Sequence, residues 1–236
     1  ILKPVSLSGS TVSRATLHNI DEIGRKDIRI GDSVIIEKAG EIIPQVVEAV
    51  KEKRTANTRK FNMPKNCPAC GWVATRKAGE VAYRCENISC PAQLKMRIKH
   101  FASREAMDIE GLGEAIIEQI VDNGLVKDYG DIYFLKFEQL KILERMADKS
   151  AQNLIDAINK SRNHDLSQLI YALGIRHVGV HAASVLADRY KSLDSVSNST
   201  IEELTNVYEI GPVMAESMYD FFKNPQTKKV LEKIRK

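Results

Sequence analysis

The run YEIGPVMAESM (208–218) has three relatives in the same chain: RHVGVHAASVL (176–186), ERMADKSAQNL (144–154) and EGLGEAIIEQI (110–120). Aligned, they place Leu112, Met146, Val178 and Ile210 in one column. Gly113, Ala147, Gly179 and Gly211 follow in the next, at spacings of 34, 32 and 32 residues. Four residues on stand Ile117, Ala151, Ala183 and Ala215, and seven on stand Ile120, Leu154, Leu186 and Met218. A period of this size marks a repeated supersecondary unit. Apolar residues at those offsets line one face of a helix that begins just after the corner. Residues 105–236 are therefore predicted to be an all-α array of four hairpins.

Charge makes this array unusual. Residues 1–62 carry 11 basic and 8 acidic side chains, residues 63–104 carry 8 and 2, and residues 105–236 carry 16 and 21. A basic front half suits a polyanion, whereas the acidic helical half needs another way to hold phosphate. The corner supplies one. Glycine there permits a tight hairpin, and the first-turn amides of the next helix point outward with the positive end of the helix dipole behind them. This is the helix-hairpin-helix device, a phosphate site that needs no basic side chain and reads no bases. Simple helix caps in a bundle are the alternative for any single glycine. Ala147 breaks the column, so the second hairpin is expected to serve packing. His177 and His181 are read as surface or packing residues.

All four cysteines lie within 24 residues, as Cys67-x2-Cys70 and Cys85-x4-Cys90. Four soft ligands on two short turns suit a tetrahedral, closed, structural Zn²⁺ site. Two disulfides are the alternative in a secreted chain, and a redox pair would want a βαβ setting. Arg76, Lys77, Arg84, Lys95, Arg97, Lys99 and Arg104 surround the segment, with phosphate contact as a second role.

Ahead of the cysteines, DSVIIE (32–37) and IIPQVV (42–47) read as strands bounded by Gly31 and Gly40, with Ala39-Gly40-Glu41 as a turn. Thr11 to Ile20 reads as a helix or an irregular connection, and 51–66 as a charged linker or solvated hairpin. Short strands this close together are expected to curl into a small barrel that hides their edges. Apolar residues at 43% and charged ones at 28% suit globular folding, and no apolar run is long enough for a membrane span. Ile1 to Pro4 show no signal-peptide pattern and the chain has no initiating Met, so it reads as a piece of a longer one.

Barrel, four-cysteine knuckle and helix-hairpin-helix array, in that order, resemble the bacterial NAD-dependent DNA ligases. The strings VSRATLHN (12–19), DIRIGDSVIIEKAGEIIPQVV (27–47), CPAC (67–70), CPAQ (90–93) and YALGIRHVG (171–179) carry the likeness. It implies a multidomain α+β chain with an OB-like barrel over 1–62 whose first strand lies ahead of Ile1. A zinc finger over 63–104 and a helix-hairpin-helix domain over 105–236 would follow. The family uses NAD to adenylate a lysine in a K-x-D-G motif, passes AMP to the 5′-phosphate of a nick and seals it, aided by Mg²⁺. No K-x-D-G occurs here, so this portion is not expected to ligate alone, and no catalytic residue is assigned to it. The resemblance carries zinc to Cys67, Cys70, Cys85 and Cys90. It carries DNA contact to Arg14, Thr16, His18, Lys38, Gly113, Gly179 and Gly211, with Lys38 also supporting nucleotide transfer. It further implies a monomer acting on nicked duplex DNA in replication and repair, in the bacterial cytoplasm at the nucleoid and away from membranes. A non-enzymatic repair scaffold and a zinc-dependent interaction module are the rival readings; the first has no use for the barrel string around Lys38, and zinc without DNA affinity would mark the second.

Overall fold

The computed structural model describes residues 1–7, 9–40, 42–76, 79–87 and 90–235. Glu41 of the expected turn and Lys77 of the basic set lie outside them. The chain divides into two compact units, 1–87 and 88–236.

Among the described residues the first unit is built from short antiparallel pairs: β1 (Val5–Leu7) with β2 (Ser10–Val12), β4 (Val34–Ala39) with β5 (Ile43–Ala49), and two further pairs of two-residue strands. Helix α1 (Ile20–Arg25) and β3 (Arg29–Ile30) precede β4, and β6 (Arg59–Lys60) returns to pair with β3. The stretch 11–20, expected as a helix or an irregular connection, instead begins in β2, runs on without regular structure and reaches α1 only at Ile20; that helix is started by Asn19, whose side chain accepts from the Glu22 amide at 2.9 Å. The expected charged linker 51–66 contributes a strand as well. β4 and β5 slip register between Ile35 and Ile36, a bulge that bends the hairpin. Thr16 runs parallel beside Gln45, its amide bonded to the Pro44 carbonyl at 2.8 Å. Val12, Ile28, Val46 and Ala49 form the small core. β7 (Ala74–Thr75) and β8 (Arg84–Cys85) make a ribbon within the cysteine segment.

The second unit is helical: α2 (Pro91–Phe101), α3 (Glu114–Asp122), a 3₁₀ turn (Tyr129–Phe134), α4 (Phe137–Leu140), α5 (Asp148–Ser161), α6 (Leu166–Ala172), α7 (Val180–Tyr190), α8 (Leu193–Asn198), α9 (Ile201–Thr205), α10 (Pro212–Lys223) and α11 (Pro225–Ile234). Its core holds the repeat columns: Ile117, Ala151, Ala183 and Ala215, and Ile120, Leu154, Leu186 and Met218, are all buried. A further column is Ile109, Leu143, Ile175 and Val207, likewise buried. The last helix is tied to the 3₁₀ turn by Lys233, whose Nζ lies 2.6 Å from both Asp128 and Asp131 carboxylates.

Candidate metal centre and nucleic-acid interface

The four hairpin corners share one geometry. The amides of Leu112, Met146, Val178 and Ile210 donate to the carbonyls of Ile109, Leu143, Ile175 and Val207 at 3.0–3.2 Å, closing a four-residue turn. The third residue of each turn has positive φ: Gly111 (87°), Arg145 (61°), His177 (69°) and Glu209 (65°). That is the conformation a type II turn demands at its third position. The next helix then starts at Gly113, Ala147, Gly179 or Gly211, each extended with φ between −80° and −90°. Their carbonyls accept from Ile117, Ala151, Ala183 and Ala215 at 2.9–3.0 Å.

This corrects the reason offered for the corner glycines. The tight turn is made two residues earlier, mostly by non-glycine residues, and the cap position is one any residue can adopt. A methyl group built on Gly113, Gly179 or Gly211 would meet nothing within 4 Å. Neither backbone conformation nor packing inside the chain demands glycine there. What the missing side chain leaves is open space in front of the first-turn amides, which have no intrahelical acceptor. By contrast α6, α8, α9 and α11 are capped by the side chains of Asp165, Ser192, Thr200 and Asn224. The four repeat helices have no such cap.

The corners differ in charge. α3 and α5 carry Glu114 and Asp148 in their first turns, whereas α7 and α10 carry no acid there. Lys99 reaches Glu114 at 2.9 Å and holds its carboxyl below the usual carboxylate range. Pro212 occupies the first position of α10 and brings no N–H, so that end offers one donor fewer. Between the third and fourth corners, His181 pairs with Glu209.

In the cysteine segment the sulfurs of Cys67, Cys70, Cys85 and Cys90 all lie within 4.8 Å of one another. Sulfurs bound tetrahedrally at about 2.3 Å from Zn²⁺ would stand about 3.8 Å apart, and Cys70 and Cys85 are 3.5 Å apart. No disulfide joins the four. Four thiols converging in this way fit one Zn²⁺ with no position left open, a structural site. The first knuckle is closed by backbone bonds, the Gly71 amide to the Cys67 carbonyl at 2.9 Å and the Cys67 amide to the Trp72 carbonyl at 2.7 Å, with Gly71 at φ 73°. Cys90 is buried at the N-terminus of α2, where the helix dipole favours a charged ligand.

Most arginines and lysines near the metal are engaged within the protein. Arg76 makes a bidentate pair with Asp21 of α1 at 2.6 and 2.9 Å, and Arg84 pairs with Glu80. Lys95 pairs with Asp122 at 2.8 Å, and Lys99 with Glu114.

In the barrel, Thr16 Oγ1 accepts from the His18 amide at 3.0 Å, and His18 Nε2 lies 2.9 Å from Gln45 Oε1. Gln45 Nε2 then donates to Glu37 at 2.7 Å. Thr16 and His18 are thus brought together, through Gln45 and Glu37, two residues that sequence reasoning missed because nothing marks them locally. Lys38 lies opposite Pro44 in the β4–β5 register, one residue from Glu37 and so on the other face of the hairpin. Arg14 is exposed in the irregular segment between β2 and Thr16.

Family comparisons agree with this architecture. Residues 1–58 match the NAD-dependent DNA ligase OB-fold domain, and residues 66–92 match the NAD-dependent DNA ligase C4 zinc finger domain. Residues 103–160 match a SAM-like helix-hairpin-helix tandem, and residues 168–231 a helix-hairpin-helix motif. Among relatives named "DNA ligase", that of Thermoanaerobacter sp. (strain X514) is 52% identical over 235 residues, covering 100% of this chain and 36% of its own length. That of Pelotomaculum thermopropionicum is 54% identical over 235 residues, covering 100% and 35%. That of Prosthecochloris aestuarii is 52% identical, covering 99% and 35%. The chain spans about a third of the length of the curated relatives it matches. Two of its segments match domains particular to NAD-dependent DNA ligases, and its whole length aligns with about a third of the length of proteins called DNA ligase.

Proposed function

We propose that this chain is the DNA-gripping portion of an NAD-dependent DNA ligase that seals nicks in duplex DNA during replication and repair. Its domains on this reading are an OB fold over 1–62, a zinc finger over 63–104 and a helix-hairpin-helix domain over 105–236. The observation that carries the reading is the set of uncapped helix N-termini, in register, each fronted by open space where a side chain would otherwise stand. Phosphate oxygens of one DNA strand fit there as acceptors for the orphan amides. The third and fourth corners are the stronger sites, since α7 and α10 bring no first-turn carboxylate to repel a phosphate. At the first corner Glu114 weakens the field, and at the second Ala147 and Asp148 do the same. Arg14, Thr16, His18 and Lys38 of the barrel add contacts beside the nick. Zn²⁺ on the four cysteines is structural.

In the whole ligase NAD supplies the adenylate and Mg²⁺ assists its transfer. This chain's part is to bind and orient the duplex, as a monomer in the bacterial cytoplasm at the nucleoid. Among the described residues no helix is long and apolar enough to cross a membrane.

Titrating the chain with labelled nicked duplex across a salt series tests the reading. Binding that falls steeply with salt, with at most a small preference for nicked over intact duplex, is the expected result. No binding at low ionic strength would reject it. Joining with NAD and Mg²⁺ is expected only when a polypeptide bearing a K-x-D-G adenylation domain is added.

A further inference from the structure

We infer that the zinc knuckle carries a second nucleic-acid site, in which Trp72 stacks against unpaired bases of single-stranded DNA. Trp72 is the chain's one tryptophan, and its neighbour Val73 shares its 58% exposure. Large apolar side chains standing side by side in solvent on a small module mark a contact surface more often than chance. The knuckle does not need the indole: its closure runs through the backbone of Cys67, Gly71 and Trp72.

The surroundings indicate the occupant. Residues 65–66 run beside this segment, with the Lys65 carbonyl accepting from the Ala74 amide at 2.9 Å and Asn66 bridging to Val73. Lys65 ends an exposed stretch that begins with Arg59-Lys60-Phe61, and Arg59, Lys60 and Lys65 form no ion pair with a described residue. This differs from Arg76 and Arg84, which are paired. Tyr83, 40% exposed, immediately precedes the returning strand of the same ribbon, one residue beyond the Thr75–Arg84 pair. Unpaired cations that track a strand, interleaved with aromatic faces, are the combination that binds single strands with little sequence preference. The hairpin corners offer phosphates of a duplex backbone amides rather than a row of unpaired cations, with one exposed tyrosine, Tyr208, in the fourth turn. The two sites therefore take different substrates, and the knuckle would hold a frayed or displaced strand.

The single tryptophan makes the test direct. Titrating the full zinc-loaded chain with a short oligothymidylate is expected to quench its fluorescence to saturation, while inorganic polyphosphate leaves it unchanged. Trp72→Ala is expected to weaken binding of labelled oligothymidylate about tenfold, with Trp72→Phe retaining most of it. Affinity for intact duplex is expected to stay the same in both variants. Absence of quenching, equal quenching by polyphosphate, or undiminished oligothymidylate binding by Trp72→Ala would overturn the inference. The wild-type titration decides the matter even if Trp72→Ala folds poorly. Loss of duplex binding in the wild type would count against the hairpin reading alone.

Discussion

Asp32 shows how a single residue organises the barrel unit. Its side chain is wholly buried, and it is met by Arg54 Nε at 2.9 Å, by Arg54 Nη2 at 3.0 Å and by the Arg29 amide at 2.9 Å. Arg54 also reaches Asp27 at 2.7 Å, so one guanidinium fastens the 3₁₀ segment Lys51–Lys53 to the turn before β4. Arg54, and Arg29 after it, hold the Asp27 carboxyl down to about 2, and Arg54 lowers that of Asp32 as well. A carboxylate depressed in the folded state stabilises fully above its ordinary pKa of about 4, and that contribution is lost as the pH falls toward about 2. Thermal melts of the first unit are therefore expected to drop across that window. Arg54→Ala is expected to lower the melting temperature at neutral pH, because it leaves a buried carboxylate uncompensated, and to flatten the acid decline. A variant with the wild-type pH profile would contradict this.

At the scale of elements, the helical repeat was legible in the sequence because three apolar columns recur in phase. The turn that makes each corner was not. Gly111, Arg145, His177 and Glu209 share a backbone conformation and no residue type, so only the structure reveals that the strained position lies two residues before the cap. β6 was hidden for a different reason: two residues, Arg59 and Lys60, suffice to pair with β3, and their charge disguises them as linker. The cysteine cluster was legible because metal ligation needs particular side chains at short spacing. The barrel chain of Thr16, His18, Gln45 and Glu37 joins residues up to 29 positions apart and leaves no local signature. Leu186→Ala empties a fully buried position on α7 and is expected to cost about 3 kcal/mol, read by denaturant melts. Cys85→Ser, or chelation, is expected to abolish binding of one zinc per chain and to melt the knuckle while the α-helical circular dichroism of the array persists; full zinc retention in the variant would contradict the assignment.

In the molecule as a whole, what folds the array is separate from what the array holds. The apolar columns fold it, and the cap glycines are not needed for that. An aspartate placed at those caps separates the two roles with opposite signs. Its carboxylate satisfies the first-turn amides and complements the helix dipole, but it fills the space a phosphate would take and repels it. Serine does the same without the charge. The decisive measurement is thus the duplex affinity of Gly179→Asp/Gly211→Asp, with Gly179→Ser/Gly211→Ser beside it, each paired with its melting temperature. The expected result is a melting temperature equal to or above that of the wild type, with affinity reduced at least about tenfold for Asp and less for Ser. Unchanged affinity in a stably folded double variant would show that these corners do not hold the DNA.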